Sequence, residues 1–342
     1  MRARLRTLFA ACLVCCSSIA LAEGPHLVKR SITAMGTAVS ISVYTEDDEG
    51  ADRAIKNALD EITRIELLMT TWRDDSEISR LNQNAGVKPV PISKETLEVL
   101  EMSKQAAEWS GGLFDITFQV LHGLWKFDED LEPKLPDMAE VKKRLPLINW
   151  RHLKLDKGKR TAFLDGKGMS VNLGGIAKGY AVDRMADILR RAGFKNALVQ
   201  AGGDLLCAGT KGGKPWTAGI RDPRGSLSDV FAIISLEDHA FSTAGDYERS
   251  FMLDGKRYHH ILDPRTGTPA TASRSVTVYA KSALLADSLD DAVFIMGWKK
   301  GFEMIEKMPD VGAVVVDSEG VVHLSERMKG HVKVLYTPPN QP

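Results

Sequence analysis

Asp287, Asp290 and Asp291 fall within five positions of one apolar run, Ala286 to Ala292. On a helix, Asp287 and Asp291 project from the same face and Asp290 is shifted around it. Neighbouring carboxylates repel, and a bound divalent cation relieves that repulsion. Oxygen ligands beside a phosphate substrate favour Mg²⁺ over a softer metal. The competing reading is a solvated helix N-terminus, where aspartates complement the dipole. Phosphate chemistry is suggested by a second segment, Val171-Asn172-Leu173-Gly174-Gly175-Ile176-Ala177-Lys178-Gly179-Tyr180-Ala181-Val182-Asp183. A glycine turn that opens a helix offers backbone N–H groups to an anion. It matches neither the dinucleotide fingerprint nor the Walker A loop. The double glycine is equally explained by tight packing between a helix and a strand.

A third segment, Tyr258 to Pro269, joins His259 and His260 to the turn Asp263-Pro264. If both histidines stay in a strand they face opposite ways, so only one meets a given ligand. His260 is the candidate for proton transfer from a hydroxyl, with Asp263 orienting its ring or binding a cation indirectly. Alternatively, Asp263 caps backbone N–H groups and Pro264 fixes a structural bend. Ala201-Gly202-Gly203-Asp204-Leu205 reads as a compact acidic loop, and Ser242 to Tyr247 as another polar turn. Small residues there permit close approach of a ligand. Thr243 has no local base, so hydrogen bonding suits it as well as nucleophilic attack. Met35-Gly36-Thr37 could line the same cleft, and Phe114-Asp115-Ile116-Thr117 sets an aromatic wall beside two oxygen groups.

These segments need elements to hold them. Ala38 to Tyr44 alternates as a strand, and Ala51 to Met69 carries the apolar stripe of a helix. Further helices are expected near 76–84, 93–110, 177–191, 283–296 and 299–308. Strands are expected at 152–155, 160–164, 169–173, 197–201, 216–220, 230–236, 240–242, 258–261 and 275–280, with a hairpin over 312–324. Lys126 to Arg144 reads as a surface excursion. Without regular strand–helix alternation, the expected class is α+β with mixed helices and antiparallel sheets.

Arg2, Arg4 and Arg6 precede an apolar run from Leu8 to Leu21 and the small-residue pattern Ala20-Leu21-Ala22. Residues 1–22 therefore read as a signal peptide, too short to be a convincing membrane span. This predicts a soluble protein exported to a bacterial periplasm. Cys12 and Cys15 raise the alternative of a lipid anchor but lack its usual flanking pattern. Cleavage leaves Cys207 as the sole cysteine, so hydrophobic burial rather than a disulfide must stabilise residues 23–342. Of 45 lysines and arginines, loss of three leaves 42 against 45 acidic residues, which argues against nucleic acid as a partner.

In their order and spacing these segments, from about Lys29 to Leu324, resemble the ApbE family of FAD:protein FMN transferases. The resemblance implies one domain over 23–342, with two lobes around a flavin nucleotide cleft. It implies FAD as donor, Mg²⁺ as cofactor, and transfer of FMN to a Thr or Ser of an acceptor flavoprotein, with AMP released. Acceptors would be exported or membrane-associated redox subunits of quinone reductases or related electron-transport complexes. The metal would take the Ala177 carbonyl, Asp287 and Asp291, and position 291 carries a carboxylate where relatives commonly have a hydroxyl. Gly174, Gly175 and Lys178 would meet the diphosphate. Met35, Phe114, Asp115 and Thr117 are implied flavin or adenine contacts. Asp204, Asp246 and Arg249 are implied shapers of the cleft. His260, Asp287 and Asp291 would carry catalysis, His260 serving the acceptor hydroxyl. Hydrolysis of FAD to FMN and AMP is the nearest alternative, and a periplasmic flavin carrier a more distant one.

Overall fold

The computed structural model describes residues 24–127 and 133–341. The leader read at 1–22 and five residues of the Lys126–Arg144 excursion lie outside the described residues. The organising element is an antiparallel sheet of eight strands whose spatial order follows chain order. These are β1 (His26–Ala34), β2 (Thr37–Thr45), β3 (Ala197–Ala201), β4 (Asp204–Ala208), β5 (His239–Gly245), β6 (Ser273–Ala280), β7 (Gly312–Asp317) and β8 (Val322–Leu324). Helices α1 (Asp48–Met69), α2 (Glu77–Gln83), α3 (Lys94–Trp109), α4 (Met138–Arg144), α5 (Ala177–Arg191), α6 (Ala283–Met296) and α7 (Trp298–Ile305) complete the mixed α+β architecture.

Both faces of the central strands are covered, and their side chains divide by the period of two. Leu206, Ala208 and Ala240 join the main core with α1 and α5, whereas Leu205, Cys207 and Phe241 face the opposite way. On that second face they meet a three-stranded sheet formed by Trp216–Arg221, Val230–Leu236 and Val332–Val334. Along α1, Ala51, Ile55, Ala58, Ile62 and Ile65 are fully buried, each large side chain contributing about 1.5–3 kcal/mol.

Several expectations need correction. Residues 169–173 form no strand, because the Asn82 side chain takes both the N–H and the C=O of Val171, displacing a ladder partner. β1 was not expected, because only Val28 and Ala34 of this edge strand are buried and its sequence shows no clean alternation. Asp204-Leu205 begins β4 rather than closing a loop, and Ser242-Thr243 lies within β5. The excursion contains α4, capped by Asp137 and anchored by buried Val141. The hairpin strand Lys256–His259 stops one residue before His260.

Candidate active site

The site is built where α5 crosses α6. The crossing is so close that a Cβ on Gly179 would lie 2.3 Å from the Ala283 carbonyl oxygen and 2.7 Å from Asp287 Cβ. The Gly179 N–H donates to Asp287 Oδ2 at 2.8 Å. Asp183, one helical turn on, accepts from the backbone N–H groups of Ala283 and Leu284 and so caps α6. Ser282 caps the same end by accepting from Leu285 N–H. Asp287 and Asp290 are consequently buried within α6, which rules out the solvated-terminus reading.

This burial brings the two strongest sequence segments together. A Cβ on Gly175 would stand 3.0 Å from Asp291 Oδ2 and 3.7 Å from Phe114 Cε2. The Gly174 N–H, expected to meet a diphosphate, donates instead to Asn172 Oδ1 at 2.6 Å. Asn172 in turn donates to Thr71 Oγ1 at 3.3 Å. The adjacent Trp72 is 79% exposed, with the His122 ring edge-on at 5.8 Å. An indole left uncovered beside the glycine turn is a ligand-stacking candidate that sequence reasoning missed. Its signal was an aromatic residue just past the apolar stripe of α1.

Beneath the turn runs a buried polar chain. Lys178 Nζ donates to Asp204 Oδ2 at 2.5 Å and lies 3.7 Å from Asp287 Oδ1. Burial alone would lower the Lys178 ammonium pKa, but Asp204, Asp287 and Asp290 outweigh it and raise it. The Ser242 hydroxyl contacts Asp204 Oδ1 at 2.5 Å and Asp290 Oδ2 at 2.6 Å. One hydroxyl carries one proton, so the second contact needs a proton on a carboxyl group. Asp290 is the group to hold it, since burial and then Asp291 push its pKa well up. Burial also raises Asp287, to about 7 with Asp204 adding to it, and Asp291, to about 6.

His259 is spent on structure: Nε2 meets the Ala270 carbonyl at 2.8 Å and Nδ1 accepts from Ile261 N–H at 3.3 Å. His260 keeps a buried Nδ1 with no hydrogen-bond partner. Burial, then His259 and Arg249, pushes its pKa down to about 3, so the ring is neutral at neutral pH. Asp263 serves the turn, its carboxylate accepting from the Arg265 N–H and guanidinium.

The remaining candidates divide. Gly202, beside Thr37, and Gly203, whose Cβ would lie 2.8 Å from the Thr243 carbonyl, draw the β1–β2 and β3–β4 turns together beside β5 at one end of the sheet. Met35 sits there with φ +50°, a left-handed conformation that strains a non-glycine residue. Asp115 and Thr117 hydrogen-bond each other and the N–H groups of Trp150 and Asn149, so they brace the wall carrying Phe114. Asp246 is clasped bidentately by Arg224, and Arg249 is exposed at the surface, its carbonyl accepting from the His260 N–H. Ala177 opens α5 and is buried. Among the described residues, no three His, Cys, Asp or Glu side chains converge as a ready-made cation cage.

The family profile described as ApbE family matches residues 35–315. The chain belongs to the ApbE family. A curated relative from Treponema pallidum, named FAD:protein FMN transferase, is 32% identical over 325 residues, 90% of this chain and 89% of that protein. Among solved ApbE structures, the protein from Thermotoga maritima is 33% identical with a TM-score of 0.81, covering 90% of this chain and 99% of that one. The flavin transferase ApbE from Vibrio cholerae is 30% identical with a TM-score of 0.78 and the same coverages. The ApbE relationship thus extends across every segment of the site from Met35 to Asp291.

Proposed function

We propose that this ApbE chain is an FAD:protein FMN transferase that moves FMN from FAD to a Thr or Ser hydroxyl of an acceptor flavoprotein and releases AMP. The observation carrying this reading is the close approach of the Asp291 carboxylate and the Phe114 ring to Gly175, 3.0 and 3.7 Å from where a Cβ there would stand. It joins a surface for a diphosphate, a charge for its counter-ion and a wall for a planar ring.

Mg²⁺ fits the residues present. Asp287 and Asp291 are hard oxygen donors whose raised pKa values mark buried negative charge short of compensation. Magnesium is commonly held by one or two carboxylates, with substrate phosphates and water completing its shell, so a protein cage of three is not required. Asp287, Asp291 and the Ala177 carbonyl would hold it. When bound, it would polarise the diphosphate and offset the charge that develops on the transferring phosphoryl group.

The chain's own groups do the rest. Lys178 and Asp204 fix the carboxylate layer, and Phe114, Trp72 and Met35 border the space for the rings. The neutral His260 imidazole orients the acceptor's hydroxyl and takes its proton once the negative charge of the bound diphosphate raises the ring's basicity, while that oxygen forms a bond to the phosphorus retained by FMN. The bond from that phosphorus to the AMP oxygen breaks, and AMP leaves with the electron pair. The leader over 1–22 supports action in a bacterial periplasm on exported or membrane-associated acceptors, such as redox subunits of quinone reductases.

Mass analysis of an acceptor incubated with FAD and Mg²⁺ tests the proposal. An acceptor heavier by FMN is expected, whereas free FMN and AMP without an adduct would make the chain a hydrolase. His260→Ala should depress transfer by about 100-fold while leaving FAD affinity within a few-fold. Equal losses in both would assign His260 to binding.

A further inference from the structure

One residue in the polar chain beneath the glycine turn has no part in the proposed reaction. Ser242 lies in β5, which is paired on one side with β4 and on the other with β6. Phe241 pairs with Leu205, so Ser242 stands next in register beside Asp204, the first residue of β4. A strand laddered on both sides opens only with the core, so the Ser242 backbone is firmly fixed. Its buried hydroxyl touches two carboxylates, Asp204 Oδ1 at 2.5 Å and Asp290 Oδ2 at 2.6 Å.

These contacts join two arms of the site. In one, Asp204 holds Lys178, whose ammonium lies 3.7 Å from Asp287 Oδ1. In the other, Asp290 Oδ1 accepts from the Asp291 N–H at 2.6 Å. Asp291 then reaches the glycine turn, its Oδ2 3.0 Å from where a Cβ on Gly175 would stand. A carboxylate inside a helix that turns back on its own backbone competes with the helical hydrogen bonds, so it needs an outside anchor to keep one setting. Ser242 supplies that anchor from the sheet. Successive helical residues are turned by about 100°, so fixing the Asp290 carboxylate also fixes the directions of Asp287 and Asp291.

We infer that Ser242 is a positioning residue: anchored on Asp204, its hydroxyl sets the central turn of α6 through Asp290 and so aims Asp287 and Asp291 at the space beside Gly175. The function assigned to this aim rests on the Mg²⁺ reading, whereas the Ser242–Asp290 link does not.

The test titrates the full-length protein with MgCl₂ alone in a calorimeter and measures initial transfer rates at varied Mg²⁺. Ser242→Ala should raise the Mg²⁺ concentration for half-saturation about tenfold in both, while the rate at saturating Mg²⁺ stays within about threefold. Ser242→Cys, of similar size but a weaker donor, should fall between the two. Thr277→Ala takes an equally buried hydroxyl from neighbouring β6 and should leave half-saturation unchanged. In an Asp290→Ala background, Ser242→Ala should add less than about twofold, because its route to α6 is already cut. Unchanged half-saturation in Ser242→Ala, a loss confined to the saturated rate, or losses that multiply in the double variant would overturn the inference. Wild-type protein that neither binds Mg²⁺ nor requires it would remove the metal reading instead. Urea unfolding in metal-free buffer decides the link in that case: a coupling between Ser242→Ala and Asp290→Ala of at least about fivefold in the unfolding constant sustains it, and additive effects overturn it.

Discussion

His260 shows how much a single buried ring can report. Its folded pKa of about 3 lies below the ordinary histidine value of 6.5, so the unfolded chain binds the extra proton between those limits. Stability contributed at neutral pH is therefore lost as pH falls below 6.5. Relative to His260→Gln, the wild type should lose roughly 2 kcal/mol more between pH 7.5 and pH 4.5, measured by urea unfolding at both. A parallel pH dependence in the two proteins would mean that the ring is solvated or protonated in the fold. Position 291 is the second informative residue, because its carboxylate faces the Gly175 turn. If Mg²⁺ is held as proposed, Asp291→Thr should weaken the dependence on it several-fold and change the ratio of acceptor adduct to free FMN, read by quantifying both products. Such residues were legible because type and spacing alone mark them. The roles of Ser242 and Asp183 were not, since they come from Asp290 and Ala283, each at least 48 positions away in sequence.

At the scale of elements, the α5–α6 crossing is the least tolerant joint. A methyl at Gly179 meets main-chain atoms of α6, which cannot rotate aside. Gly179→Ala should cost about 2–3 kcal/mol or more and lower transfer in proportion to the displacement of Asp287, measured by thermal melting and by initial rates. Asp183→Ala removes an acceptor for two backbone donors at the start of α6 and should cost about 1–3 kcal/mol. Helices were readable because one-sided burial leaves a period near 3.6, as in α1. β4 was misread for the opposite reason: all five of its residues are buried, so no alternation appears. Residues 169–173 had a strand's apolar composition, yet a side chain almost 90 positions earlier satisfies their backbone.

For the whole molecule, the α+β class was legible from the irregular order of strands and helices, whereas the second layer against the main sheet was not. Two of its strands were recognised singly, whereas Val332–Val334 was not expected, and its pairing with Val230–Leu236 depends on a return of the chain after nearly 100 residues. The long-range joins carry a further implication for biogenesis. β2 pairs with β3 across some 150 residues, and the candidate site residues run from Met35 to Asp291. Contacts so distant along the chain form late, after the closure entropy of long loops is overcome. A ribosome-bound fragment ending before α6 would hold the glycine turn but none of the carboxylates that face it. On the proposed reaction, flavin capture is confined to chains synthesised nearly to their end, and arrested fragments should emerge from synthesis colourless.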